Sequence, residues 1–412
     1  MDKDQGFEEQ LAMRERAHRM ADQLIEWRRT LHRHPELAFE EYQTSDYIAG
    51  VLQRIPGMVV TRGLGTPTSV VGCLGGAQSG GPHVALRADL DGLPIEESDQ
   101  SEVRSEIPGR MHACGHDGHM AMVLGAAHLL AEDAANGRIK GRVTFLFQPA
   151  EEASDAEGNT GARYLIKEGL LDDVDAVLAL HCDPENPVGT VRIHDGAAMA
   201  NVDNFTARII GRGGHAGYPD LALDPLWLMV PVLQAIHGIR ARRLSPLDGA
   251  AISVCQVSGG TANNVIPPFV ELAGTLRSCS DGTRETIIDE LSRAIRVAEA
   301  LGGKVDLNIE RGEPAVINSP AINAVLRSVV HDVTGRDSLD NGPFGMGGED
   351  FGFMSRKAPA AMMFLGVASG HREISSLHAP DFRLDEAALP YGTAILAEAA
   401  LRLGGTQEVQ TA

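Results

Sequence analysis

A chain of 412 residues has room for two or three domains, and its 43% hydrophobic and 22% charged residues fit a globular protein, with no run near the roughly 18 apolar residues a membrane helix needs. A net charge of −20 argues against nucleic acid or a membrane surface as partner, so an anionic substrate would need arginines placed locally. Five scattered cysteines without a C-x-x-C pair argue against a disulfide framework and a zinc ribbon.

The opening stretch MDKDQGFEEQLAMRERAHRM is charged throughout and has no apolar signal core, which sets the expectation of a cytoplasmic protein. At the far end, TQEVQTA reads as a short disordered tail. Between them, HVALRADLDG, HMAMVLGAAHLLAED, RVTFLFQPAEE, TGARYLIKEGLL and DAVLALHCD alternate apolar runs with helical periods, the pattern of β-α-β units around a buried, mostly parallel sheet.

Near residue 192 the style changes. NFTARIIGRGG reads as a strand, LDPLWLMVPVLQAIHGIR as a helix, AISVCQVSGG and FVELAGTLRS as strands, TRETIIDELSRAIRVAEALG as a helix and KVDLNIERG as a strand. That β-α-β-β-α-β order is ferredoxin-like. A helix SPAINAVLRSVVHDVTG, an apolar run AAMMFLGV and a helix DEAALPYGTAILAEAALRLGG then resume the first style. The expected fold is a discontinuous α/β domain, residues 1–191 and 313–412, with a mostly parallel central sheet and an inserted ferredoxin-like α+β domain at 192–312.

In open α/β sheets ligands bind beyond the carboxyl ends of the strands. There the chain places Asp89 and Asp91, Glu151 and Glu152, His181, and a loop carrying His378, while MHACGHDGHM adds Cys114 and His116 just ahead of a helix. Thiolate, imidazole and carboxylate together suit a borderline divalent ion such as zinc, cobalt, nickel or manganese. Residues two apart in a turn can point the same way, so Cys114 and His116 read as a loop-borne ligand pair. Adjacent glutamates suit two roles, one carboxylate on metal and its neighbour taking a proton from water; composition alone does not fix the order, and Glu152 is assigned to metal and Glu151 to the base.

Singly, each has an ordinary structural reading: His181 as a hydrogen-bonded strand end, Cys114 as a small buried hydrophobe, the glutamates as surface. Convergence from five segments favours metal. His32, His34, His112 and His119 read as structural or as supports behind the ligands, and Asp117 as a group that could orient a ligand imidazole. His215 lies among the glycines of GRGGHAGYP, a loop that could reach the crevice or serve as a cap or core element, while Asn264 and Arg277 offer groups for a carbonyl and a carboxylate but on pattern alone also read as ordinary surface residues. No G-x-S-x-G, H-E-x-x-H or P-loop is present, so serine-hydrolase, zincin and nucleotide-hydrolase readings lose their main support.

ALRADLDGLPIEE, MHACGHDGHMAMVLGAA, FLFQPAEE, GRGGHAGYP, GGTANNVIP, GTLRS, MGGEDF and LHAPDF resemble, in order, the signatures of the M20 metallopeptidase family in its amidohydrolase branch, from about residue 27 to 400. The resemblance implies two divalent metal ions (Zn, Mn, Co or Ni) bound by Cys114, His116, Glu152, His181 and His378, with Glu151 as general base. It further implies that His215 helps polarise the substrate carbonyl, that Asn264 and Arg277 hold its carboxylate end, and that the inserted domain makes a homodimer or homotetramer.

The expected activity is hydrolysis of the amide bond of an N-acyl amino acid or short peptide. Alternatives are a dipeptidase or carboxypeptidase of the same family, a cysteine hydrolase using Cys114, and a non-catalytic two-lobed small-molecule binding protein. Asn263, Gly217, Tyr218 and Gly348 depart from the residues common in the family, and Cys182 stands where a bulkier residue is expected. None removes a ligand, so these positions bear on substrate identity rather than chemistry.

Overall fold

Strand His83–Asp89 is buried along its whole length, and so is nearly all of Arg142–Gln148, which is why both read as continuous apolar runs rather than alternating ones. In the computed structural model, which describes residues 12–75, 80–98, 103–335, 338–368 and 376–405, these two strands lie side by side in parallel. The TQEVQTA segment and the first eleven residues of the opening stretch lie outside the described residues.

The large sheet has eight strands in the order Val59–Arg62, Val70–Gly75, Arg142–Gln148, His83–Asp89, Ala176–Pro187, Ala360–Ala368, Val191–Arg192 and Leu339–Asp340. The four strands at its centre, from Arg142–Gln148 to Ala360–Ala368, are mutually parallel; Val70–Gly75 on one side and Val191–Arg192 on the other join them antiparallel, and of the outermost strands Val59–Arg62 pairs antiparallel and Leu339–Asp340 parallel with its neighbour. Parallel strands bring their carboxyl ends to one edge, so the residues after Gln148 and Asp89 share a neighbourhood with the outer part of Ala176–Pro187. Arg87 pairs with Ala179, which puts Asp89 level with His181.

Helix His116–Ala135 is apolar on almost every side and correspondingly buried. Its Met120 and Leu124, with Phe145, Leu178, Met363 and Leu396, belong to one continuous core. Each such fully buried side chain stabilises the fold by roughly 1.5–3 kcal/mol. That core fixes where the helix begins, and hence where Cys114 and His116 stand.

Two compact units make up the chain: Met1–Ala198 with Val316–Phe344 and Asp350–Ala412, and Met199–Ala315 with Gly345–Glu349. The second contains a four-stranded antiparallel sheet ordered Ala250–Ser258, Phe269–Ser278, Asn201–Ile210, Lys304–Arg311. By chain order that is second, third, first, fourth, the ferredoxin-like arrangement. Strand Asn201–Ile210 alternates buried and more exposed residues, as a sheet covered on one face requires. Helices Pro225–Arg242 and Asp281–Ile295 supply Leu228, Val232, Ile236, Ile287 and Leu291 to its core. Each starts at a side-chain cap, Asp224 accepting from Leu226 N–H and Ser280 from Thr283 N–H. No described helix is long and apolar enough to cross a membrane.

Candidate metal centre

The turn before helix His116–Ala135 is built on Gly115, whose φ of 87° is a left-handed conformation that disfavours a side chain. A Cβ there would also stand 2.9 Å from Cys182 Sγ. The tight turn sets Cys114 and His116 on the same side. The Cys182 side chain packs against the same turn, its Sγ 3.8 Å from the Gly115 carbonyl oxygen.

His181 comes from the central strand, and Glu151 and Glu152 from the turn after Arg142–Gln148. His378 is held in a left-handed conformation, φ 60°, and its N–H donates to the Ala113 carbonyl at 2.9 Å. These segments bring Cys114 Sγ to 3.5 Å from His181 Nε2 and 3.3 Å from His378 Nε2. Glu152 Oε1 lies 3.2 Å from His378 Nε2 and 3.7 Å from His116 Nε2; Glu151 Oε2 lies 3.9 Å from the same nitrogen. Three overlapping groups, Cys114–His116–His181, Cys114–Glu152–His378 and His116–Glu151–Glu152, each have donor atoms within 4.8 Å of one another.

The donor set fits a metal. His116 Nε2 is buried without a hydrogen-bond partner, a costly state for a ring nitrogen unless a cation takes its lone pair. His181 Nδ1–H donates to the Cys182 carbonyl at 2.8 Å, which leaves Nε2 as a lone-pair donor facing Cys114. Burial first, then neighbouring His119, lowers His181 to about 3, keeping the neutral imidazole a metal needs.

The electrostatics are those of a cation site. Burial opposes a charge on His116, yet Asp89, Asp91 and Glu152 push it up to about 10. Burial also works against the Glu152 carboxylate, but His378 and His116 hold it below its ordinary value. For the Cys114 thiol, burial and then Glu152, Glu151 and Asp89 all act in one direction, well upward. Without a cation this thiol stays protonated.

Asp117 does not orient a ligand imidazole, contrary to the expectation from sequence. It accepts from Arg28 Nε–H at 2.7 Å and His32 Nδ1–H at 2.9 Å. As a helical residue next to His116 it points to a different face. Asp91 orients the ring instead, its carbonyl accepting from His116 Nδ1–H at 2.8 Å. His119 uses both ring nitrogens, donating to Asp89 Oδ1 at 2.7 Å and accepting from Cys182 N–H at 2.9 Å, so it braces the site from behind.

In the second unit, His215 is exposed on a short strand pair opposite Val265, next to Asn264, whose carbonyl accepts from Ala216 N–H at 3.1 Å. His215 Nδ1 accepts from Gly217 N–H at 2.9 Å, leaving Nε2 as the protonated nitrogen. Arg277 is half-buried on strand Phe269–Ser278, with its guanidinium on Thr275 Oγ1 and the Leu276 carbonyl. The residue that sequence reasoning missed is Glu41, wholly buried and bonded to the turn that carries Glu151. No local motif marks it.

The model of peptidase family M20/M25/M40 matches residues 85–402. A thermostable carboxypeptidase of Saccharolobus solfataricus is 35% identical, covering 90% of this chain and 93% of its own. The N-acetyl-L-cysteine deacetylase of Bacillus subtilis is 36% identical, covering 94% and 89%. A crystal structure from Bacillus subtilis described as a dinuclear metal binding peptidase of family M20 superposes with a TM-score of 0.82 at 30% identity, covering 94% of this chain and 99% of that one.

Proposed function

The chain belongs to peptidase family M20/M25/M40, and from that premise we propose that it hydrolyses the amide bond of an N-acyl amino acid, with Glu151 as general base beside two divalent ions. It is a metal-dependent hydrolase of C–N amide bonds. The observation that carries the reading is the convergence of Cys114, His116, Glu152, His181 and His378 on one spot, with His116 Nε2, buried and without a hydrogen-bond partner, at its centre and Glu151 alongside.

When bound, a divalent ion supplies Lewis-acid polarisation of the amide carbonyl and acidifies water. Glu151, on the rim of the cluster, takes the proton from attacking water and returns it to the leaving amine. In this proposal His215 Nε2–H stabilises the oxyanion, and Asn264 and Arg277 hold the carboxylate end. An amide beside a carboxylate fits the names of both relatives, a deacetylase for N-acetyl-L-cysteine and a carboxypeptidase. The second name favours short peptides as the alternative substrate.

A nucleophilic cysteine needs a lowered pKa, and the surroundings of Cys114 raise it, which disfavours the cysteine-hydrolase reading. A simple binding protein has no use for a carboxylate poised like Glu151. The reading also places the enzyme in the cytoplasm and pairs copies through the second unit, where exposed Leu226, Trp227 and Val230 on helix Pro225–Arg242 offer apolar surface.

The test is amine release from N-acetyl, N-benzoyl and indole-acetyl amino acids and from dipeptides, using metal-reconstituted protein beside Glu151→Gln. Turnover of an N-acyl amino acid by wild type alone is expected. Turnover of dipeptides only moves the assignment to peptidase, and near-normal turnover by Glu151→Gln removes the base assignment.

A further inference from the structure

Among the described residues, the non-glycine positions with positive φ are Phe39 (66°), Ala150 (49°) and His378 (60°). Two of the three meet at one atom. Phe39 N–H donates to Glu41 Oε1 at 3.0 Å, and Ala150 N–H donates to the same oxygen at 2.8 Å. Thr68 Oγ1–H donates to the other oxygen, Oε2, at 2.8 Å, so the carboxylate cannot swing away. Glu41 is 0% exposed.

The two amides after Ala150 belong to Glu151 and Glu152. They donate to Asp91 Oδ1 at 3.1 Å and Oδ2 at 2.9 Å. Three consecutive N–H groups thus hang from two buried carboxylates supplied by distant segments. The Ala150 carbonyl in turn accepts from Gly161 N–H at 2.9 Å. Left-handed backbone crowds an alanine Cβ against the following carbonyl, so Ala150 keeps this conformation only because its surroundings impose it. Were it to relax, the chain leaving strand Arg142–Gln148 would take another direction, and Glu151 and Glu152 would swing away from His116.

We propose that Glu41 is a positioning residue: its carboxylate holds the left-handed turn at Ala150 that aims Glu151 and Glu152 into the His116 cluster. The inference rests on the reading of Glu151 as base and Glu152 as ligand. Reach, rather than charge, is what the role demands. Glutamine keeps an acceptor oxygen at the same distance, whereas aspartate keeps the charge and withdraws the acceptor by one methylene.

The experiment compares Glu41→Gln, Glu41→Asp and Glu41→Asp/Ala150→Gly with wild type, all metal-reconstituted and checked for folding by circular dichroism and Tm. Glu41→Asp is expected to lower kcat tenfold or more with KM within threefold. It should also lower at least threefold the chelator concentration that strips the metal, because Glu152 hangs from the same turn. Glu41→Gln should retain at least a third of wild-type kcat. Adding Ala150→Gly should recover at least threefold over Glu41→Asp, since glycine takes a positive φ without strain.

Glu41→Asp with kcat within twofold of wild type, or Glu41→Gln as damaged as Glu41→Asp, overturns the proposal. If Glu41→Asp fails to fold, Thr68→Val, which frees the carboxylate to rotate, carries the same expected loss of kcat and the same refutation. Glu151→Gln, run alongside, separates the two readings. If it keeps turnover, the base assignment fails; if it loses turnover while Glu41→Asp does not, only the positioning role fails.

Discussion

Replacing Gly115 by alanine perturbs the turn that delivers Cys114 and His116. At φ 87° an alanine sits in left-handed backbone, which costs roughly 1–2 kcal/mol. Its Cβ would stand 2.9 Å from Cys182 Sγ and 3.0 Å from Cys182 Cβ, an overpacking worth about 1–3 kcal/mol. The two together predict a loss of about 3 kcal/mol in urea unfolding of metal-free protein, and weaker metal binding because the altered residue lies between two proposed ligands. Cys182→Ala removes the sulfur but leaves the Cβ, so in a double-mutant cycle it should return on the order of 1 kcal/mol of the Gly115→Ala loss. Gly115→Ala within about 0.5 kcal/mol of wild type, or a cycle with no coupling, refutes the packing argument.

Two further predictions concern titration and reactivity. Burial, followed by Asp91, raises Glu41 to about 7 from its ordinary 4.5, so the folded state keeps a proton that the unfolded state releases, and stability falls as pH rises across that window. Glu41→Gln, always neutral, should therefore gain on metal-free wild type between pH 4.5 and 7 by up to about 3 kcal/mol and hold that gain above it; a difference flat with pH in urea unfolding refutes this. Cys255 is exposed, whereas Cys114 is buried with its thiol pushed well upward, so iodoacetamide at neutral pH should modify Cys255 at least tenfold faster in metal-free protein. Faster labelling of Cys114, read by peptide mass mapping, would revive the cysteine-hydrolase alternative.

What the sequence made legible was the part written in local pattern. Continuous apolar runs gave the central strands, and the residues after them gave the cluster, because parallel strands deliver their ends to one edge. The β-α-β-β-α-β order likewise foretold the sheet of the second unit. Side-chain partnership was not legible. Asp117 and Asp91 are both carboxylates near His116, and only the folded backbone shows that Asp117 faces Arg28 and His32 while the carbonyl of Asp91 meets the ring. Glu41 lies far along the chain from Ala150 and in no recognisable motif; its role depends on a backbone conformation that composition does not encode. The packing of Cys182 against Gly115 was likewise invisible in sequence, since the two lie on separate segments.

The most direct test of the central claim is to strip the purified protein with a chelator, measure metal content and amine release from an N-acyl amino acid, and repeat both after restoring zinc, manganese, cobalt or nickel to wild type and to Glu151→Gln. The account predicts no turnover without metal, recovery in wild type on restoration, and a Glu151→Gln protein that takes up the same metal yet stays at least a hundredfold slower. Full turnover by metal-free protein, or by metal-loaded Glu151→Gln, would contradict it.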